Sequence, residues 1–132
     1  LAVPPAKLTP RRCIYIRRKQ YDKALADINV VLQRDPQDKS ALRRRATIFL
    51  ATKQHYLQAG RDMLLARRID PMDEDLRKFA RSVVDAVRYY GDQAWKAHRD
   101  ADAIAAFRLG LKLAPNDKDL QKRLAFARAA VA

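Results

Sequence analysis

Cysteine is nearly absent from this chain. Cys13 stands alone, so no internal disulfide can form, and with histidine only at positions 55 and 98 no set of soft ligands stands at zinc spacing. Thiolate and histidine metal sites are therefore excluded, and no metal or cofactor is among the expectations for this chain. The three glycines, at 60, 91 and 110, lie too far apart to build a phosphate-cradling loop. Long apolar runs are missing as well: an uncharged stretch such as Ala46 to Thr52 falls far short of the ~20 residues a membrane-spanning helix needs. Without a disulfide framework or a secretory or transit signature, the expected setting is a reducing intracellular compartment, cytoplasmic by default. The chain opens on Leu1 rather than Met, which leaves a fragment or a processed chain as open readings.

What is present fits one packed helical domain. The 132 residues are 48% hydrophobic and 33% charged, and a chain of this length buries roughly two thirds of its unfolded surface. The formal net charge is +13, and the first 71 residues hold 16 of the 28 basic side chains but only 6 of the 15 acidic ones. Such a surface attracts polyanions: nucleic acid, acidic protein segments or anionic headgroups.

A repeat organises the chain. Ala24, Ala59 and Ala103 are each followed four residues later by a large apolar residue (Ile28, Met63, Phe107) and twelve residues later by a proline (Pro36, Pro71, Pro115). The spacing predicts three helices of about fourteen residues with a proline stop just past each end. Between them, Ala41, Leu42, Ala46, Phe49 and Leu50 keep a helical period, with Asp38 or Ser40 as cap and Lys53 to His55 as the turn. Leu76, Phe79, Ala80, Val83, Val87, Tyr90, Ala94 and Trp95 keep that period with no proline among them, so one long helix is expected from Asp73 to about His98. Gly91 within it either kinks the helix or admits a close neighbour, and close approach is the favoured reading. Residues 116–131 read as a final helix, capped by Asn116 or Asp117.

This pattern resembles the tetratricopeptide repeat family, whose unit is 34 residues of helix, turn and helix. The second unit carries the resemblance best, through Ala46, Phe49, Tyr56, Ala59, Ala66 and Pro71. The first supplies Tyr15, Tyr21, Ala24 and Pro36, its opening helix shortened because Pro10 belongs at a helix start; the third supplies Gly91, Ala103, Ile104, Phe107 and Pro115. The resemblance implies an all-α fold of antiparallel helix pairs stacked as a right-handed superhelix, with repeats over about 10–38, 39–72 and 73–115; residues 1–9, ahead of them, read as an extended segment. A capping helix over about 116–131 would close the stack. The distance from Pro71 to Pro115 exceeds the unit by about ten residues, so the pitch should break in the third repeat.

In that family the first helices of successive pairs line a concave groove that receives a partner segment. Carried onto this sequence, the groove positions are Arg17, then Arg43, Arg44, Thr47 and Leu50, then Arg88, Tyr89, Asp92, Trp95 and Lys96. Residues 11–16, 21–27 and 39–46 also look like the second and third repeats of co-chaperone domains that clamp acidic chaperone tails. Arg44 falls on the clamp arginine, with Ser40 at the lysine position and Lys39 beside it, but Pro10 replaces the expected asparagine and the repeat supplying the first clamp pair is missing.

The resulting expectation is a noncatalytic adaptor that binds an acidic peptide or helix of another protein in a basic groove. A rival reading is a subunit of a ribonucleoprotein assembly, in which Arg11, Arg12, Arg17, Arg18, Lys19, Arg34, Lys39 and Arg43 to Arg45 contact RNA phosphates and Tyr89, Tyr90 or Trp95 stack on bases. Catalysis has little support. Asp73, Glu74 and Asp75 suit a helix N-terminus, and no histidine lies near Cys13 in sequence. No small-molecule substrate is expected.

Overall fold

The structure is a computed structural model and describes residues 10–131, with side chains from residue 18 onward. The described residues form six helices: α1 (Pro10–Arg34), α2 (Lys39–Thr52), α3 (Tyr56–Ile69), α4 (Glu74–Lys96), α5 (Asp100–Leu113) and α6 (Lys118–Val131). Among them there is no strand. Three-residue turns join α2 to α3 and α4 to α5, and each helix packs on the next in the chain. Further contacts run from α2 to α4 and from α3 to α5, so alternate helices also meet.

The expected long helix is present as α4, and Gly91 does not interrupt it. A Cβ at Gly91 would lie 2.5 Å from the Phe107 ring, so the glycine is where α5 presses against α4. Ala46, Ala59, Ala66, Ala94, Ala103 and Ala106 are completely buried and serve the same close approach. Around these small residues Met63, Leu76, Val83, Val87 and Leu120 are enclosed on all sides. They form one continuous core through α2 to α6, joined by Ile28 and Leu32 of α1.

The linkers that follow α1, α3 and α5 share one chemistry. Asp35, Asp70 and Ala114 each precede a proline, which disfavours a helical backbone; Asp70 and Ala114 take extended φ angles of −139° and −136°. Two residues after each proline an aspartate caps the next helix. Asp38, Asp73 and Asp117 accept the backbone N–H of Ala41, Leu76 and Leu120 at 3.1, 3.1 and 3.0 Å. Asp38 and Asp117 are thus the caps, rather than the alternatives Ser40 and Asn116.

The first unit departs from the other two. Residues 10–34 run as a single helix where the repeat pattern has a pair divided by a turn. Between residues 17 and 21 the sequence offers Arg18, Lys19 and Gln20, all good helix formers, and no glycine, proline or asparagine to break the run. By contrast, α2 and α4 end where Lys53 and His98 adopt left-handed φ angles of 56° and 62°. In both, the next residue's N–H bonds back across the terminus: Gln54 to Phe49 at 3.0 Å and Arg99 to Ala94 at 2.8 Å.

Candidate functional site

Helix α2 sorts its arginines by face. Ser40, Arg43, Arg44 and Thr47 recur at helical spacing and, with Ala24, Asp27 and Ile28 of α1 and Ile48 of α2, line an open groove of ≈580 Å³. Its floor is apolar, Ile28 and Ile48 being buried, while both arginines stand exposed on its rim. Among the described residues neither guanidinium makes an ion pair or a side-chain hydrogen bond, so ten N–H donors remain for a ligand. The Thr47 hydroxyl donates to the Arg43 carbonyl at 2.8 Å. Leu50, also expected in the groove, is half-buried against the core. The side chain of Arg17 lies outside the described residues, as do those of Arg11 and Arg12.

The third arginine of the run turns inward. Arg45 grips the Asp62 carboxylate with two parallel bonds of 2.8 and 2.7 Å and donates to Asn29 at 3.1 Å, pinning α2 to α3 and α1. Asp62 is 3% exposed and takes a further bond from Gln58 at 2.9 Å. Asp62 itself holds the Arg45 pKa above its ordinary value. Sequence reasoning missed this pair, although a signal was present: Asp62 sits on the apolar period of Ala59, Met63 and Ala66, where a carboxylate needs a cation.

Lys39 is likewise engaged. Its ammonium lies 2.9 Å from both Asp70 and Asp73, tying the start of α2 to the α3–α4 linker. These two hydrogen bonds, Asp70's first, raise the Lys39 pKa, and Lys39 in turn lowers that of Asp73. Of the three positions that resemble the co-chaperone clamp, only Ser40 and Arg44 face the open groove.

The groove positions expected on α4 lie outside the α1–α2 groove and are divided among several places. Arg88 binds Asp117 at 2.8 Å and lies 3.4 Å from Asp85 and Asp119, fixing α4 to the start of α6. The Leu120 N–H, and then Arg88, hold the Asp117 carboxyl below the ordinary carboxylate range. Asp92 is paired with Arg123 at 2.9 Å, and this contact raises the Arg123 pKa. These polar groups, expected to contact a partner, are used to seat α6. Trp95 meets Phe126 edge-on at 5.7 Å and, with Asp92, Phe107 and Lys122, lines a smaller cavity of ≈290 Å³. Tyr89 is exposed with its ring edge-on to Tyr56 at 6.5 Å, and Lys96 is exposed at the end of α4. Burial and then Tyr89 push the Tyr56 hydroxyl pKa up.

The α1–α2 groove thus offers planar donor forks above an apolar strip, which suits carboxylates carried on a partly apolar segment. Among the described residues, no three histidine, cysteine or carboxylate side chains stand together as metal ligands would. No described helix is long and apolar enough to cross a membrane. No protein-family model and no curated protein matches the chain.

Proposed function

We propose that the chain is a noncatalytic adaptor of tetratricopeptide type, its helix pairs wound as a right-handed superhelix, that holds an acidic segment of another protein in the α1–α2 groove. One observation carries the reading. Of three consecutive arginines, Arg45 is bound internally while Arg43 and Arg44, unpaired among the described residues, project beside buried Ile28 and Ile48. Carboxylates of the partner would take the two guanidinium forks, and its apolar side chains would cover the floor. Repeated Ala-to-Pro spacing, alternating helix contacts and the shared linker chemistry support the repeat assignment.

The test is capture from nuclease-treated native extract by wild type and by an Arg43→Glu/Arg44→Glu variant, with partners read by mass spectrometry. The variant should lose the partners while melting within a few degrees of wild type. Retention of the same partners by the folded variant would remove the groove from the account.

A further inference from the structure

A second cationic surface lies away from that groove, where α3, α4 and α5 converge. Arg67, Arg77, Arg81 and Arg88 line a cleft of ≈650 Å³ between α4 and the α5–α6 linker. Arg67, Leu113 and Pro115 also border an adjoining depression that adds Arg68 and Lys112. Two of these six cations have structural work: Arg67 donates to the Leu113 carbonyl at the end of α5 at 2.8 Å, and Arg88 is held by Asp117. Arg68, Arg77, Arg81 and Lys112 are exposed, and among the described residues no side-chain hydrogen bond or ion pair engages them. The carboxylates lining the cleft are Asp85 and Asp117, and both lie on Arg88.

Four cations unpaired among the described residues, two in the cleft and two in the depression beside it, repel each other, Arg77 and Arg81 most directly, since they stand one helical turn and about 6 Å of rise apart on the same face. An anion that threads between them relieves this repulsion. A phosphodiester chain brings one negative charge with every residue and meets such a row in any register, whereas a protein segment would need several acidic residues in succession. The buried floor side chains are Ala80, Val84 and Leu113, and no aromatic ring lines either depression, so the site offers charge to the backbone and no aromatic platform for the bases. We infer that this cleft is a binding surface for the phosphate backbone of single-stranded RNA, independent of its sequence. It is separate from the α1–α2 groove and does not rest on the groove's assignment.

The test is fluorescence anisotropy with a labelled 20-nucleotide oligouridine across a potassium chloride series. Four phosphate contacts predict that log K falls against log salt with a slope of about −2.8. Arg77→Gln/Arg81→Gln should halve that slope and weaken binding about 25-fold at 0.1 M salt. Arg68→Gln/Lys112→Gln, in the adjoining depression, should do the same. Arg43→Gln/Arg44→Gln removes equal charge from the other groove and should leave the slope unchanged. Equal weakening by all three pairs would mean that net charge alone attracts RNA, and would overturn the proposal. So would absence of binding at 0.1 M salt, or displacement of the RNA by polyglutamate at matched charge concentration, which would point to an acidic protein as the occupant.

Discussion

Replacing Arg45 with alanine should be costly in a way that replacing its two neighbours is not. The substitution leaves the Asp62 carboxylate, 3% exposed, with Gln58 as its remaining side-chain partner. Breaking a buried ion pair by removing one partner typically costs 3–5 kcal/mol, and because the Arg45 side chain keeps 20% of its exposure, the lower end, about 3 kcal/mol, applies. Asp62→Ala should cost less, about 1–2 kcal/mol, because the long arginine side chain can turn toward water. The double variant should therefore be less damaging than the sum, with a coupling of about 1–2 kcal/mol. Urea unfolding followed by far-ultraviolet circular dichroism reads this directly. At a slope of about 2 kcal/mol/M, Arg45→Ala moves the midpoint down by about 1.5 M, while Arg43→Ala and Arg44→Ala move it by less than about 0.3 M. Equal shifts for all three arginines, or strict additivity of Arg45→Ala and Asp62→Ala, would refute the division of labour on α2.

Gly91→Ala should destabilise despite alanine's better helix propensity. The new Cβ would meet the Phe107 ring at 2.5 Å, and an overpacking cost of about 1–3 kcal/mol outweighs a propensity gain of about 1, so the melting temperature should fall. In the opposite direction, Lys53→Gly and His98→Gly relieve left-handed backbone at the ends of α2 and α4. Each should raise stability by about 0.5–1 kcal/mol in urea titrations. Acid sensitivity follows from the caps. Asp73 and Asp117 have lowered pKa values in the fold, so their contribution is complete above the unfolded value near 4 and is lost as pH falls through the lower folded values. Melting temperatures recorded from pH 6 to pH 2 should therefore drop below about pH 4 in wild type and less steeply in Asp73→Asn/Asp117→Asn.

Much of the architecture was legible in the sequence because proline stops and buried alanines act locally. The Ala-to-Pro spacing located α3 and α5, and the uninterrupted apolar period from Leu76 to Trp95 located α4 close to its observed limits. Gly91 is a point of close approach, as a glycine inside an unbroken apolar period suggests. The first unit was harder, because whether residues 17–21 turn or continue depends on what packs there, and local propensity alone favours the continuous α1. A missed regularity, an aspartate two residues after each repeat proline, would have settled both ambiguous caps.

The candidate site was less legible, since pairing between distant side chains has no local signature. Arg43, Arg44 and Arg45 are chemically identical in the sequence; only the facing Asp62, seventeen residues from Arg45, distinguishes the third. Arg88 and Asp92 were assigned to a partner by their repeat positions, yet the chain supplies their partners itself in Asp117 and Arg123, twenty-nine and thirty-one residues on. Arg77 and Arg81 carry no local signature either, because their significance rests on Arg68 and Lys112, which come from two other helices.

The most direct test of the adaptor account is site-specific photo-crosslinking in nuclease-treated native extract, with a benzophenone side chain at Thr47 inside the groove or at Ala105 on the exposed side of α5. The account predicts adducts at Thr47 to peptides rich in aspartate and glutamate, and none of these at Ala105. The same peptides at both positions, or no protein adduct at Thr47 while binding persists, would contradict it.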